Sequence, residues 1–393
     1  MYFRQIHRKE GKKVYKESDI VAVAKRKNNK KRNYLVVNRL QGKHIPVSPK
    51  SAFDMFGELA DVVKKKYEGQ MLLVIGFAET ATAIGTHVAR ETDSYYIQTT
   101  REEVEGAEYI YFSESHSHAT EQRLVKNDLD KVLKKIDKIL FVEDEVTTGN
   151  TIMNIVKMLK KLYPEVQGYA VASIINGMNA EALKSYEDAD IDISYLVKTD
   201  NNAYSEIADK YPDETGIEVP LFVRNEGKYA FVRRIIAGGY INPRNVCRAS
   251  DYVKACDDVA QKICENINMD DDKSILVMGT EECMYPAMYL GCMLEDAGHM
   301  VRTHSTTRSP ITVYDDEDYP LHERYLLHGM YDKDRETFIY DIAEYDRVIV
   351  LTDSEKIPEK SEDSLVDALI ENDNKNISII RWNEVADIDE DQL

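Results

Sequence analysis

The sequence predicts an α/β protein of two tandem halves, each a mainly parallel sheet flanked by helices, and three observations carry that prediction. Strand-sized apolar runs alternate with stretches of helical periodicity along the chain. The run at 138–142 ends in acids and a Thr/Gly turn, as a central parallel strand does when it opens into a ligand loop at the carboxyl edge of a sheet. Segments of residues 74–144 also recur at an offset near 205. A chain of 393 residues with 43% apolar content is long enough for two packed cores, and the predicted domains are 1–212 and 213–393.

Residues 20–24 and 34–37 flank the run Lys25-Arg26-Lys27-Asn28-Asn29-Lys30-Lys31-Arg32 and read with it as a β-hairpin. Two readings of that basic loop stay open: a solvated turn, or a positive flap that draws in a polyphosphate. Helical periodicity follows over 52–65, an apolar strand over 71–75 and a second helix over 79–90. Between that strand and helix lies Gly76-Phe77-Ala78-Glu79-Thr80-Ala81-Thr82, a loop that fits neither GxGxxG nor GxxxxGK[ST]. A polar stretch over 99–123 carries Arg101, His116, His118 and Arg123. Its two histidines at i, i+2 fit a metal site, a general acid or the surface of a loop alike. The strand at 138–142 and a helix over 152–161 complete the first half.

Net charge −19 argues against a nucleic-acid binder, because neutralising phosphates is what drives that affinity. The charge is uneven: residues 1–50 hold fifteen Lys and Arg against three Asp and Glu, so the remainder carries more than the whole deficit. No apolar run is long enough to span a membrane and no basic segment precedes an apolar one, so a cytoplasmic location is expected. Cys247, Cys256, Cys264, Cys283 and Cys292 form no CxxC pair and their count is odd, which favours reduced thiols over zinc.

The chemistry concentrates after the strand at 138–142. Thr147, Thr148, Gly149, Asn150 and Thr151 offer backbone N–H groups, small hydroxyls and a helix N-terminus, a set suited to one phosphate monoester. Glu143 and Asp144 would repel that phosphate unless they face neutral hydroxyls or a cation, so the ligand should carry vicinal diols, Mg²⁺ or both. A ribose 5-phosphate unit meets these demands. The segment resembles the motif of type I phosphoribosyltransferases that binds phosphoribosyl pyrophosphate (PRPP): apolar residues, two acids, two variable residues, then Thr-Thr-Gly-x-Thr. The resemblance implies that Glu143 and Asp144 hold the ribose hydroxyls and, through Mg-PRPP, the metal, and that 147–151 hold the 5-phosphate. It implies further that Phe77, Ala78, Glu79 and Thr80 form the pyrophosphate loop, and that Arg101 and Arg123 bring cations to the leaving group. Mg²⁺ is then the cofactor, PRPP and a base-like small molecule are the partners, and pyrophosphate is released as a nucleotide-like metabolite forms. In some relatives the first position of the loop is an Asp that assists a purine; here it is Thr147, and Glu79, Glu281 or Glu282 are left as candidate bases. A regulator that senses PRPP or a nucleotide without turnover is the alternative.

Three collinear matches define the repeat. Val74-Ile75-Gly76-Phe77-Ala78-Glu79 corresponds to Val277-Met278-Gly279-Thr280-Glu281-Glu282, Thr99-Thr100-Arg101 to Thr306-Thr307-Arg308, and the strand ending at Asp144 to one ending at Asp353. The second copy continues Ser354-Glu355-Lys356-Ile357-Pro358 without glycine or paired threonines, so it has no phosphate cradle and one PRPP per chain is expected. The string Thr307 to Glu317, with Gly42 to Val47, resembles a narrower family that pairs a phosphoribosyltransferase domain with a C-terminal domain named for Thr-Arg-Ser-Pro (TRSP), typically encoded near tellurite-resistance genes. Glu281, Glu282, Thr307, Arg308 and Ser309 match the pyrophosphate-side loops of the first copy and are expected to complete the first domain's site. Type I enzymes are commonly dimers whose loops reach toward the neighbouring site, so a fused second copy stands in for that neighbour, and a further homo-oligomer stays open. Residues 1–212 alone are expected to bind PRPP but to transfer ribose poorly.

Overall fold

Strands such as Leu72–Gly76, buried at every position, can only lie at the centre of a sheet covered on both faces. A computed structural model describes residues 13–27, 32–112, 122–166, 168–211, 214–221, 229 and 231–383. Short α1 (Glu17–Ile20) leads into the hairpin β1 (Val21–Lys25) and β2 (Tyr34–Asn38), then α2 (Pro49–Lys66), β3 (Leu72–Gly76), α3 (Thr82–Glu91) and β4 (Tyr95–Gln98). A second hairpin, β5 (Tyr109–Phe112) and β6 (Gln122–Val125), precedes α4 (Leu129–Leu133), β7 (Lys138–Val146), α5 (Asn150–Leu162), β8 (Gly168–Asn176), α6 (Ala180–Asp188), β9 (Ile191–Lys198) and α7 (Tyr204–Asp209). The second half runs β10 (Ile217–Val219), β11 (Arg233–Ala237), β12 (Cys247–Arg248), α8 (Ala249–Asn266), β13 (Ser274–Gly279), α9 (Tyr285–Asp296) and β14 (Met300–Ser305). It closes with the hairpin β15 (Glu323–His328) and β16 (Glu336–Tyr340), then β17 (Arg347–Thr352), α10 (Glu359–Glu371) and β18 (Ile377–Trp382).

The two large sheets have the orders β12-β4-β3-β7-β8-β9 and β11-β18-β17-β13-β14. Their shared kernel, β4-β3-β7-β8 and β14-β13-β17-β18, is parallel throughout, so the repeat in sequence is a repeat in topology. It reaches further than the three quoted matches: α2 and α8 are both 18 residues long. Some bounds differ from those expected. The helix over 52–65 begins at Pro49 because Ser48 accepts from the N–H of Ser51 at 3.3 Å and proline suits the first helical position. The helix expected from 79 starts at Thr82, since 77–81 form the turn that leaves β3.

The halves exchange edges. Val47, just before α2, bridges Thr303 of β14, while β12, just before α8, runs antiparallel to β4 through Cys247–Tyr96 and Arg248–Tyr95. Between these crossings Phe53 of α2 stacks on Tyr285 of α9 at 5.3 Å, and Tyr96 on Tyr252 at 6.3 Å. A split at 212/213, positions outside the described residues, therefore divides the chain but not the packing.

The first hairpin is held by both halves. The backbone N–H of Lys27 donates to Pro310 at 3.1 Å and that of Thr312 to Lys25 at 3.1 Å, so the strand after Arg308 adds to β1. Lys27 pairs with Glu218 at 2.8 Å, and Arg32 reaches Glu145 at the end of β7. Residues 28–31, and with them the two readings of the loop, lie outside the described ones; on either side of them Lys27 and Arg32 are paired with acids.

Candidate active site

The carboxyl end of β7 presents three acids in succession, between the loop that follows β3 and the helix that follows Gly149. Asp144 Oδ1 accepts from Thr80 Oγ1 at 2.8 Å, which joins the acid pair to the 76–82 loop. Glu145 is tied by Arg32 Nη2 at 2.9 and 2.8 Å and by Asn201 Nδ2 at 3.2 Å. Among the described residues no side chain donates to Glu143. Withdrawal from water pushes the Glu143 carboxyl well above its ordinary range, with Asp144 and Glu145 adding repulsion and Arg101 opposing it. Asp144 is raised as well, again chiefly by burial, though the Thr80 hydroxyl offsets part of the shift. Glu143 therefore lacks the side-chain donor that would settle its charge, and Asp144 has only the Thr80 hydroxyl.

Gly149 ends the loop with φ +70°, a conformation in which L side chains are strained. A Cβ there would stand 2.6 Å from Tyr186 Cε2, and the Tyr186 hydroxyl donates to the Gly149 carbonyl at 2.7 Å. The glycine is thus demanded by Tyr186 of α6 before any ligand is considered. With α5 starting at Asn150, the N–H groups of Thr151 and Ile152 have no helical acceptor and remain for an anion. Thr147, Thr148 and Asn150 border a cleft of about 1130 Å³ that continues along Lys157 and Tyr186 to Asn201.

The 76–82 loop differs in part from the role implied for it. Phe77 is a core side chain, edge-on to Phe112 at 5.7 Å, and the N–H of Ala78 is used by Thr99 Oγ1 at 2.8 Å. The Ala78–Glu79 peptide is cis. Glu79 pairs with Lys43 at 2.5 Å and with Arg308 at 2.8 Å. Burial opposes its charge, yet the two cations prevail and hold the carboxyl well below its usual range. A neutralised Glu79 no longer repels an anion bound beside it, nor is it available as a base.

Arg101 and Arg308 come together here. The Arg101 guanidinium feels Arg308, Glu79 and Glu282 and acts on Glu143, which places it between the acid pair and the second half. Its Nε is buried without a hydrogen-bond partner, as are Nη1 and Nη2 of Arg308. Arg123 braces the backbone of Arg101: its Nη2 donates to the Arg101 carbonyl at 2.9 Å and its guanidinium lies over Tyr109, while its Nε, like that of Arg101, is buried without a hydrogen-bond partner. Glu281 is buried, pushed up to about 7 by desolvation and by Glu79, and engaged by Arg335 at 2.9 Å. Glu282 accepts from the N–H of Arg101 at 2.9 Å. Thr307 and Ser309 serve the backbone, Thr307 by bridging Phe338 and accepting from the N–H of Ser309, and Ser309 by giving its carbonyl to Tyr340. His116 and His118 lie outside the described residues.

A family model described as a phosphoribosyl transferase matches residues 20–204, and one described as the TRSP domain C-terminal to it matches 247–369. The chain belongs to the phosphoribosyltransferases that carry a C-terminal TRSP domain. Solved structures similar to it include adenine phosphoribosyltransferase from Rhodothermus marinus, 10% identical over 46% of this chain and 96% of that one, with a TM-score of 0.34. Another is orotate phosphoribosyltransferase from Aeropyrum pernix, 14% identical over 44% and 84%, with a TM-score of 0.29. Likeness at that level carries no argument about substrate. No curated protein matches the chain.

Within this phosphoribosyltransferase the repeated acids have opposite fates. Asp353, the counterpart of Asp144, takes Arg244 Nη1 at 2.6 Å, the Tyr240 hydroxyl at 2.7 Å and the Tyr331 hydroxyl. Burial would raise it, but Arg244 and these hydrogen bonds pull it below its ordinary value. The second copy's acid is thus already satisfied by the chain. One substitution contributes to the difference beside the two tyrosines. Lys43 and Arg244 sit at matching places before α2 and α8 and pair with the matching acids Glu79 and Glu282. The single Nζ of Lys43 is used up by Glu79 and the carbonyls of Glu281 and Thr306, whereas the fork of Arg244 reaches on to Asp353. Sequence reasoning missed both cations, along with Arg32, Tyr186 and Arg335. Extending the repeat upstream from its three matches would have found Lys43 and Arg244.

Proposed function

We propose that the first half binds Mg-PRPP and transfers its ribose 5-phosphate to a base-like acceptor with release of pyrophosphate, in the synthesis of a nucleotide-like metabolite. The observation that carries this reading is an acid pair held above its ordinary range beside a helix N-terminus with uncapped N–H groups, set against Asp353 of the second copy, which the chain holds below its ordinary range. Among the described residues no group of three or more His, Cys, Asp or Glu can hold a metal, so Mg²⁺ fits here only as an ion brought and mostly ligated by the substrate, beside Glu143 and Asp144. When bound it would neutralise charge on the departing pyrophosphate.

The bond from C1 to the pyrophosphate oxygen breaks while one from C1 to an acceptor nitrogen forms, and positive charge builds on the ribose. Glu143 and Asp144 accept from its hydroxyls and face that charge; residues 147–151 fix the 5-phosphate; Arg101 and Arg308 supply positive charge on the side of the leaving group. The experiment is Mg-PRPP consumption and pyrophosphate release against a panel of nucleobases and related heterocycles. Glu143→Ala and Asp144→Ala should each weaken Mg-PRPP binding by about 1–3 kcal/mol; unchanged affinity in both would defeat the assignment.

A pH dependence follows from the raised acids. A carboxylate that accepts from hydroxyls binds as the ion, so ligand binding must expel protons from groups whose free-state affinity for them is high. Affinity for Mg-PRPP should therefore rise as pH rises through the elevated Glu143 range, and the slope should shrink in Glu143→Gln. The sign for stability is the reverse: a buried acid with raised pKa favours the fold when protonated and costs stability as pH rises. Titrations at several pH values, with proton release read in buffers of different ionisation heat, check the first, and thermal melting over the same pH range checks the second.

A further inference from the structure

The second copy's acid does more than fill its own site. A continuous buried hydrogen-bonded chain leaves it and ends on the first half. Arg244 spans two acids, with Nη1 on Asp353 at 2.6 Å and Nε on Glu282 at 3.1 Å. Glu282 in turn takes the Thr100 hydroxyl on Oε2 at 2.7 Å and the N–H of Arg101 on Oε1 at 2.9 Å. Arg244 Nε also lies 3.3 Å from Thr100 Oγ1, which closes the link. Asp353 is 7% exposed, Arg244 4%, Glu282 2% and Thr100 0%, so water does not screen these contacts.

We propose that Asp353 is a positioning residue for the first half's site: through Arg244 and Glu282 it holds the backbone at Thr100 and Arg101, and so aims the Arg101 guanidinium at the pyrophosphate. The inference rests on the PRPP reading above. Its physical basis is that Arg244 without Asp353 is a buried cation with one acid fewer, and its pull on Glu282 must be redrawn. Glu282 is the only acid accepting from the N–H of Arg101 among the described residues, so any movement of it passes to that backbone. The same link exists in mirror form: Lys43 holds Glu79, and Glu79 holds Arg308. Each half thus orients the other's arginine, but only the Arg244 arm is tied to an acid of the repeated strand end. An acid that merely packed a dead site would need no connection across the interface.

The probes are Mg-pyrophosphate and ribose 5-phosphate, titrated separately into the full-length protein by calorimetry. Asp353→Asn keeps the shape and one acceptor oxygen while removing the charge and replacing the other acceptor with an N–H₂ donor. It should weaken Mg-pyrophosphate binding by about tenfold and leave ribose 5-phosphate within about twofold, because Glu143, Asp144 and the phosphate loop are untouched. A purely structural role would move both ligands together or neither, and either result overturns the proposal. Should Asp353→Asn not fold, Arg244→Lys, which keeps the charge but loses the fork, must give the same selective loss; equal effects on both ligands reject the relay. Wild-type protein that binds neither probe would overturn the PRPP reading itself, and the relay with it, which separates the two failures.

Discussion

A chain ending at residue 212 is expected not to fold as an independent domain, in contrast to the autonomous PRPP-binding half that the sequence alone suggests. Truncation removes β12 from the edge of β4 and uncovers Phe53 and Tyr96, which pack on Tyr285 and Tyr252, and leaves Glu79 without Arg308. Each large apolar side chain returned to water costs roughly 1.5–3 kcal/mol, and a buried ion pair that loses one partner roughly 3–5 kcal/mol. Against a total stability of about 5–15 kcal/mol these losses are decisive. Circular dichroism and thermal melting of the fragment should show no cooperative transition, while co-expression with residues 213–393 should restore a soluble complex. A stable fragment with a sharp transition would mean that the exchanged edges contribute little.

Gly149→Val is the second large effect, and it acts on the fold before it acts on any ligand. A β-branched residue at φ +70° costs about 1–2 kcal/mol, and the crowding against Tyr186 roughly another 1–3 kcal/mol. The melting temperature should fall by about 2–6 °C without ligand present. Lost PRPP binding in this variant would therefore say little about phosphate recognition. Thr148→Val is the cleaner probe, since that side chain is exposed: melting should be unchanged and Mg-PRPP affinity reduced by about 1 kcal/mol. If Gly149→Val melts with the wild type, the packing of Tyr186 on the loop has been misjudged.

Much of this was written locally in the chain. The apolar run 138–142, the acid pair and the Thr/Gly turn specify strand, site and helix in succession because all their determinants are neighbours, and the parallel kernel follows from the repeat. What stayed hidden depends on contacts between distant residues. Arg308 pairs with Glu79 across 229 positions and Arg335 with Glu102 across 233, and no periodicity reports such pairs. That Arg123 ties to the carbonyl of Arg101 is set by the hairpin β5–β6 and Tyr109 rather than by residue type. Phe77 lay in the right loop but is claimed by the core.

The two halves hold matching acids in opposite states, Asp144 raised by burial and Asp353 lowered by Arg244 and its hydrogen bonds, and the number of PRPP sites per chain tests the meaning of that contrast most directly. Calorimetric titration of the full-length protein with PRPP in the presence and absence of Mg²⁺ should give one site per chain, dependent on the metal and weakened in Asp144→Ala. Two equivalent sites, or a single site indifferent to Asp144→Ala, would contradict it.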